Sequence, residues 1–193
     1  MPNKDNIIEI KSISELQKIG IKYPLDGYFV FTSDIDAWSC RSWNGKHGFL
    51  PIGSTRSPFV GVLDGNGFSI KGLLINKGDT SNIGLFSCIG KNGIVKNIVF
   101  EDSWIDGENN VGTISGTNFG MIENCSVRGS VTGKIKNVGG LVGKNLGIIS
   151  NSSFKGPVNG DENVGGIAGV NLKGIIKNCS FVGVVVGVFD VGE

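Results

Sequence analysis

Histidine, proline and charge imbalance are all scarce in this chain of 193 residues. The one histidine, His47, leaves almost no room for a histidine-based metal site or a multi-histidine catalytic centre. With only 5 prolines and an ordinary apolar fraction of 39%, a disordered Gly/Pro chain is excluded, and no Gly-X-Y period supports collagen. Lysine plus arginine number 18 against 17 acidic residues, a net charge of +1. That balance argues against nucleic acid or an anionic membrane as partner. The four cysteines, Cys40, Cys88, Cys125 and Cys179, contain no CxxC pair, so no zinc site or disulfide framework is expected. Apolar runs such as Tyr28–Phe31 are far too short to span a bilayer. The opening MPNKDNIIEIKS has no apolar core of a secretory signal. Two locations follow as expectations: cytoplasmic for a complete chain, extracellular or cell-surface for a piece of a longer protein.

Glycine, by contrast, is abundant: 32 residues, roughly 17% against a usual figure of about 7%. Its placement is periodic. Gly93, Gly120, Gly147 and Gly174 recur at intervals of 27, each followed four residues later by Asn97, Asn124, Asn151 or Asn178. Three positions further stand Phe100, Val127, Phe154 and Phe181. A second block precedes each unit: Val111–Gly116 (VGTISG), Val138–Gly143 (VGGLVG) and Val164–Gly169 (VGGIAG), with a weaker copy at Ile83–Ser87.

The segments between these landmarks are short, β-branched and bounded by Gly or Asn, and no helical period runs through them. Short strands repeating every 27 residues fit a parallel β-helix, whereas a propeller blade needs about 40–50 residues. The fold class expected is therefore all-β: a right-handed parallel β-helix of about five coils with a short N-terminal capping helix. Equivalent residues should form ladders along the axis. Val95/Ile122/Ile149/Ile176 and Phe100/Val127/Phe154/Phe181 are expected to point inward, with Ile98/Cys125/Ser152/Cys179 between them. Cys125 and Cys179 would lie two coils apart, roughly 9–10 Å, which is too far for a disulfide. The repeated glycines should supply positive φ or allow close backbone approach. The asparagines should bond turn backbone, which also accounts for the three formal glycosylation sequons at Asn124, Asn151 and Asn178.

One domain, 1–193, is expected. Residues 1–58 would form a cap and first strands, and 59–193 the repeated coils. Within the cap, Ile13–Ile19 reads as a helix with Ser12 as N-cap and Gly20 as stop, and Tyr28–Phe31 as the first strand. Residues 37–57 read as a loop insertion, and Asp64–Gly67 as a turn between strands of the segment from Phe59 to Ile75. The chain stops at Val191-Gly-Glu193, where a further coil would start. A truncated or open last coil is expected there, and with it either a longer native chain or end-to-end homo-oligomers. Loop charges alternate in sign, with Asp106 and Glu108, then Lys134 and Lys136, then Asp161 and Glu162, and a cross-coil salt ladder is expected.

The blocks Val138–Gly143 and Val164–Gly169 resemble the GLUG motif of bacterial surface proteins. Leu16–Ile19, Asp34-Ile-Asp36, Pro51-Ile-Gly53 and Phe59–Gly67 are similar to the segment that leads into such repeats, so the resemblance spans roughly 7–193. Val111–Gly116 departs from the pattern. GLUG-type repeats occur in large adhesin-like proteins and beside surface peptidases. The resemblance implies a β-helix on a bacterial surface and carries over no catalytic residue.

For ligand contact, the best candidates are Trp38, Trp43, His47 and Arg41, because exposed aromatics stack on sugar rings. Trp104 breaks the ladder of its coil and is expected to face outward or cap an end. Asp34, Asp36 and Asp64 could bind calcium or act as acid and base, but they read better as turn formers. No catalytic residue, metal site or cofactor is assigned. The leading expectation is a non-catalytic adhesin-type module that binds a glycan or surface protein. The alternatives are a small polysaccharide lyase or hydrolase, and a ligand-free spacer.

Overall fold

The computed structural model describes residues 6–192. The chain winds into a parallel β-solenoid of about five turns, with short strands stacked in columns. One column runs the whole length: Ile7–Ile10, Tyr28–Phe31, Val62–Asp64, Ile94–Lys96, Met121–Glu123, Ile148–Ser150 and Ile175–Lys177. A second holds Ile35–Asp36, Ser69–Lys71, Val99–Gly107, Ser126–Gly133, Ser153–Lys155 and Ser180–Val182. Phe86–Ile89, Ser115–Asn118, Val142–Asn145 and Ala168–Asn171 form the third, and Lys136–Gly139, Glu162–Gly165 and Phe189–Gly192 the fourth.

The inward ladders are in the expected register. Val95, Ile122, Ile149 and Ile176 pair in sequence, as do Phe100, Val127, Phe154 and Phe181. All are buried except Ile176 and Phe181 in the last coil. Every cysteine is free. Cys125 is enclosed, and burial pushes its thiol up to about 12, so it behaves as a small apolar side chain.

Glycine and asparagine divide the turn chemistry between them. Gly93, Gly120 and Gly147 do not take positive φ; a Cβ on Gly120 or Gly147 would stand 2.2 Å from the carbonyl oxygen of the glycine one coil below. Close approach is their reason. Positive φ falls to Asn97, Asn124, Asn151 and Asn178, at 50–56°. Their side chains bond across coils rather than to turn backbone, although no such bond joins Asn151 to Asn124 among the described residues. Asn97 Nδ2 donates to Asp64 Oδ1 at 2.9 Å, Asn124 to Asn97 at 3.3 Å, and Asn178 to Asn151 at 3.2 Å.

Two further asparagine ladders run beside this one. Asn82, Asn110, Asn137 and Asn163, all at positive φ, are linked by amide bonds of 3.1, 2.7 and 3.1 Å. Asn118 and Asn145 are wholly buried. Asn118 Nδ2 donates to Asn145 Oδ1 at 2.9 Å, and Asn145 Nδ2 to Asn171 Oδ1 at 2.8 Å. Their oxygens also accept the amides of Gly120 and Gly147, so these buried polar groups are satisfied.

The N-terminal region departs from expectation in detail. A strand, Ile7–Ile10, precedes the helix and pairs with Tyr28–Phe31, which is thus the second strand. The helix is one turn, Ile13–Leu16, with Ser12 Oγ accepting from the Glu15 amide. Ile13, Leu16 and Ile19 are buried, and the segment seats on the core. Residues 37–57 contain two 3-10 turns, Trp38–Ser42 and Asn44–Lys46, and build coil structure. Phe49 and Ile52 are buried, and Ile52 bridges Phe86 in parallel.

The expected salt ladder does not form as such. Lys134 pairs with Asp79 rather than with Asp106. Lys136 stands opposite Glu162 in register, but no ion pair joins them among the described residues.

Candidate functional site

The aromatic flank begins with Asp36, whose Oδ1 accepts the Trp38 amide at 2.9 Å and opens the 3-10 turn Trp38–Ser42. In a 3-10 turn, residues three apart share a face. Trp38 and Arg41 therefore sit together, the guanidinium 4.2 Å from the indole ring centroid, in cation–π contact. Arg41 Nε also donates to the Gly72 carbonyl at 3.5 Å.

Gly72 is the seat of the indole. A Cβ there would lie 2.5 Å from Trp38 Cδ2, 2.6 Å from Cε2 and 2.8 Å from Cγ. Cδ2 is enclosed by ring bonds on all sides, so an atom nearest to it must stand over a ring face. The indole thus lies flat on the Gly72 backbone, and Gly72 at φ 78° is suited to that position twice over. Trp38 is still 48% exposed. It is a flat apolar surface with the Gly72 backbone against its face and the Arg41 guanidinium over its ring.

The other two expected residues are placed differently. Trp43 is half-buried and packs against the core. His47 is exposed, and its Nδ1 lies 2.9 Å from the Asn76 carbonyl oxygen. Trp104 faces outward and is 52% exposed.

The carboxylates are committed to backbone amides, Asp36 and Asp64 within turns and Asp34 across to a strand of the next coil. Asp34 Oδ1 accepts the Ser69 amide at 2.8 Å, and this bond, ahead of Lys71, holds its carboxyl below the usual range. Burial pushes Asp64 up, but Asn97, the Asn66 amide and Lys96 outweigh it, and the net direction is down. Both are thus ionised at neutral pH. Asp106 is raised, chiefly by burial, with Lys134 opposing and Asp79 reinforcing. No group of three or more His, Cys, Asp or Glu suited to a metal occurs among the described residues.

Shallow grooves lie elsewhere. One of about 360 Å³ runs over the outer face of the second column, between Glu101, Ser126, Arg128, Ser153 and Lys155. At the last coil, outward positions held by Lys155, Asn159 and Glu162 in the preceding turn become Val182, Val186 and Phe189, all exposed. Among the described residues, no helix is long and apolar enough to cross a membrane.

Comparison with known proteins gives the following. The family described as the GLUG motif matches residues 136–159 and 160–186, which are coils of the solenoid. Halomucin of Haloquadratum walsbyi is 37% identical over 128 residues, covering 65% of this chain and 1% of that protein. A "Putative Gly-rich membrane protein" of Evansella cellulosilytica is also 37% identical over 128 residues, covering 64% of this chain and 15% of that protein. The chain thus spans a small part of either relative. Among solved structures, a "putative immunoglobulin A1 protease" from Bacteroides ovatus superposes with a TM-score of 0.64 at 20% identity, over 97% of this chain and 69% of that one. At that identity the likeness concerns the fold alone.

Proposed function

For this GLUG-motif repeat protein, we propose the role of a non-catalytic surface module that binds a glycan at Trp38 and Arg41. The observation that carries the reading is the half-exposed indole lying on Gly72 with a guanidinium at 4.2 Å. A rigid aromatic face offers stacking to the apolar side of a sugar ring, and the arginine offers hydrogen bonds to its hydroxyls or carboxylate. The surface setting is supported by the relatives, one named for mucin and one for a membrane. The non-catalytic reading is supported by Asp34, Asp36 and Asp64, whose oxygens accept backbone amides. An acid catalyst needs a proton at working pH, and Asp34 and Asp64 are held ionised.

Incubation with immobilised bacterial and host polysaccharides, scoring retention and chain length together, tests this. Retention without shortening, lost in Trp38→Ala, is expected. Shortening of any polymer would replace the reading with an enzymatic one. The end-to-end association expected from the last coil is a separate proposal resting on its exposed Val182, Val186 and Phe189. A sedimentation series that keeps a monomeric mass at high concentration would remove it.

A further inference from the structure

Trp38 has an aromatic neighbour that the Gly-Asn repeat does not explain. Trp104 pairs directly with Leu74, and its amide donates to the Leu73 carbonyl at 2.8 Å. The Gly72 amide donates to Glu101 in that same neighbouring strand. Gly72, the seat of Trp38, and Leu74, the strand partner of Trp104, are therefore two residues apart on one stretch of chain, with Trp104 one coil further along the axis. Two residues of chain and one interstrand step put the Gly72 and Trp104 backbones at most about 8 Å apart. In the coil above, the residues opposite Ser103 and Trp104 are Gly129 and Ser130, which are small and leave that side of Trp104 uncrowded. Leu74 is part-buried beside Trp104. Arg41 borders one end, and the Arg128–Asp102 ion pair lies beside the other.

We infer that Trp38 and Trp104 form one platform for an oligosaccharide of at least two units, each indole stacking on one sugar ring. The inference rests on the glycan reading above and adds to it a second contact and a minimum ligand length. Such a platform binds a disaccharide through two linked contacts, where the second acts at high effective concentration. A monosaccharide can occupy only one.

The test uses soluble β-1,4-linked oligosaccharides of one to four units, built from glucose, N-acetylglucosamine and galacturonic acid, titrated into the protein by calorimetry. The expected result is at least a tenfold gain in affinity from one unit to two, with little added by the third and fourth. Trp104→Ala should abolish that gain, leaving disaccharide affinity equal to monosaccharide affinity, and Trp38→Ala should weaken binding of both. Because Trp104 faces outward, its variant should keep the wild-type circular dichroism and melting temperature, which separates lost contact from lost fold. If Trp104→Ala keeps the full length dependence while Trp38→Ala loses binding, the platform is overturned and the single-ring site stands. If neither variant weakens binding, or no sugar binds, both fail.

Discussion

In the first coils, rings fill the interior: Tyr23, Phe29, Phe59 and Phe86 follow one another with centroids 6.3, 6.2 and 4.6 Å apart. In the coil directly after Phe86 and the two beyond it, the amides of Asn118, Asn145 and Asn171 occupy the place that Ile89 holds in the Phe86 coil. Coil length changes with the chemistry. Equivalent strand positions Ile7, Tyr28, Val62 and Ile94 are separated by 21, 34 and 32 residues. From Ile94 onward, through Met121, Ile148 and Ile175, each interval is 27. Ring packing has no fixed direction and accepts coils of unequal length. An amide ladder needs a donor within about 3 Å of an acceptor in every coil, and one misplaced residue breaks it. The aromatic half can therefore carry the 3-10 turns that present Trp38, and the laddered half repeats.

Mutations that remove each device should separate the halves. Phe59→Ala should cost most, about 3–5 kcal/mol, because it opens a cavity between two rings. Chemical denaturation would read this as a fall in midpoint. Asn145→Ala should follow at about 3 kcal/mol, since it strands buried partners on Asn118 and Gly147. If it melts like wild type, the ladder is ornament and the comparison fails. At the exposed ladder, Asn124→Val should cost about 1–2 kcal/mol, because a β-branched residue is forced to φ 51°. Asn124→Gly should cost far less, and equal losses for the two would place the effect in the amide bond instead of the backbone.

The smallest effect concerns acid. Asp64 anchors the outer ladder, and its carboxyl is lower in the folded chain than in the unfolded one. The stability it contributes is complete above its unfolded value, about 3.9, and is lost as pH falls through the folded value. Thermal melts between pH 5 and 2 should therefore fall less steeply for Asp64→Asn than for wild type. An unchanged slope would detach Asp64 from the ladder's stability.

The laddered half was legible in the sequence because its spacing is strict: Gly93 with Asn97, repeated every 27 residues, gave coil length, inward columns and the free cysteines. The same count could have found the other ladders, since Asn82, Asn110, Asn137 and Asn163 each stand directly before Ile83, Val111, Val138 or Val164. The aromatic half was less legible because ring packing leaves no period, so Ile7–Ile10 and the coil-building role of Phe49 and Ile52 went unread. Trp38 and Arg41 were marked as neighbours in sequence, but the seat at Gly72 lies 34 residues away and carries no local signal. Trp43 and His47 were marked for the same proximity, and folding turns one toward the core and sets the other against Asn76.

The most direct test of the glycan site is affinity electrophoresis through polysaccharide-containing gels, running wild type, Trp38→Ala and Gly72→Ala side by side. Gly72→Ala keeps the indole but drives a methyl into its ring. Slowed migration of wild type, with both variants running freely and both retaining the β-sheet circular dichroism signal, is the predicted result. A Gly72→Ala protein slowed as much as wild type would contradict the claim that the seated indole is the binding surface.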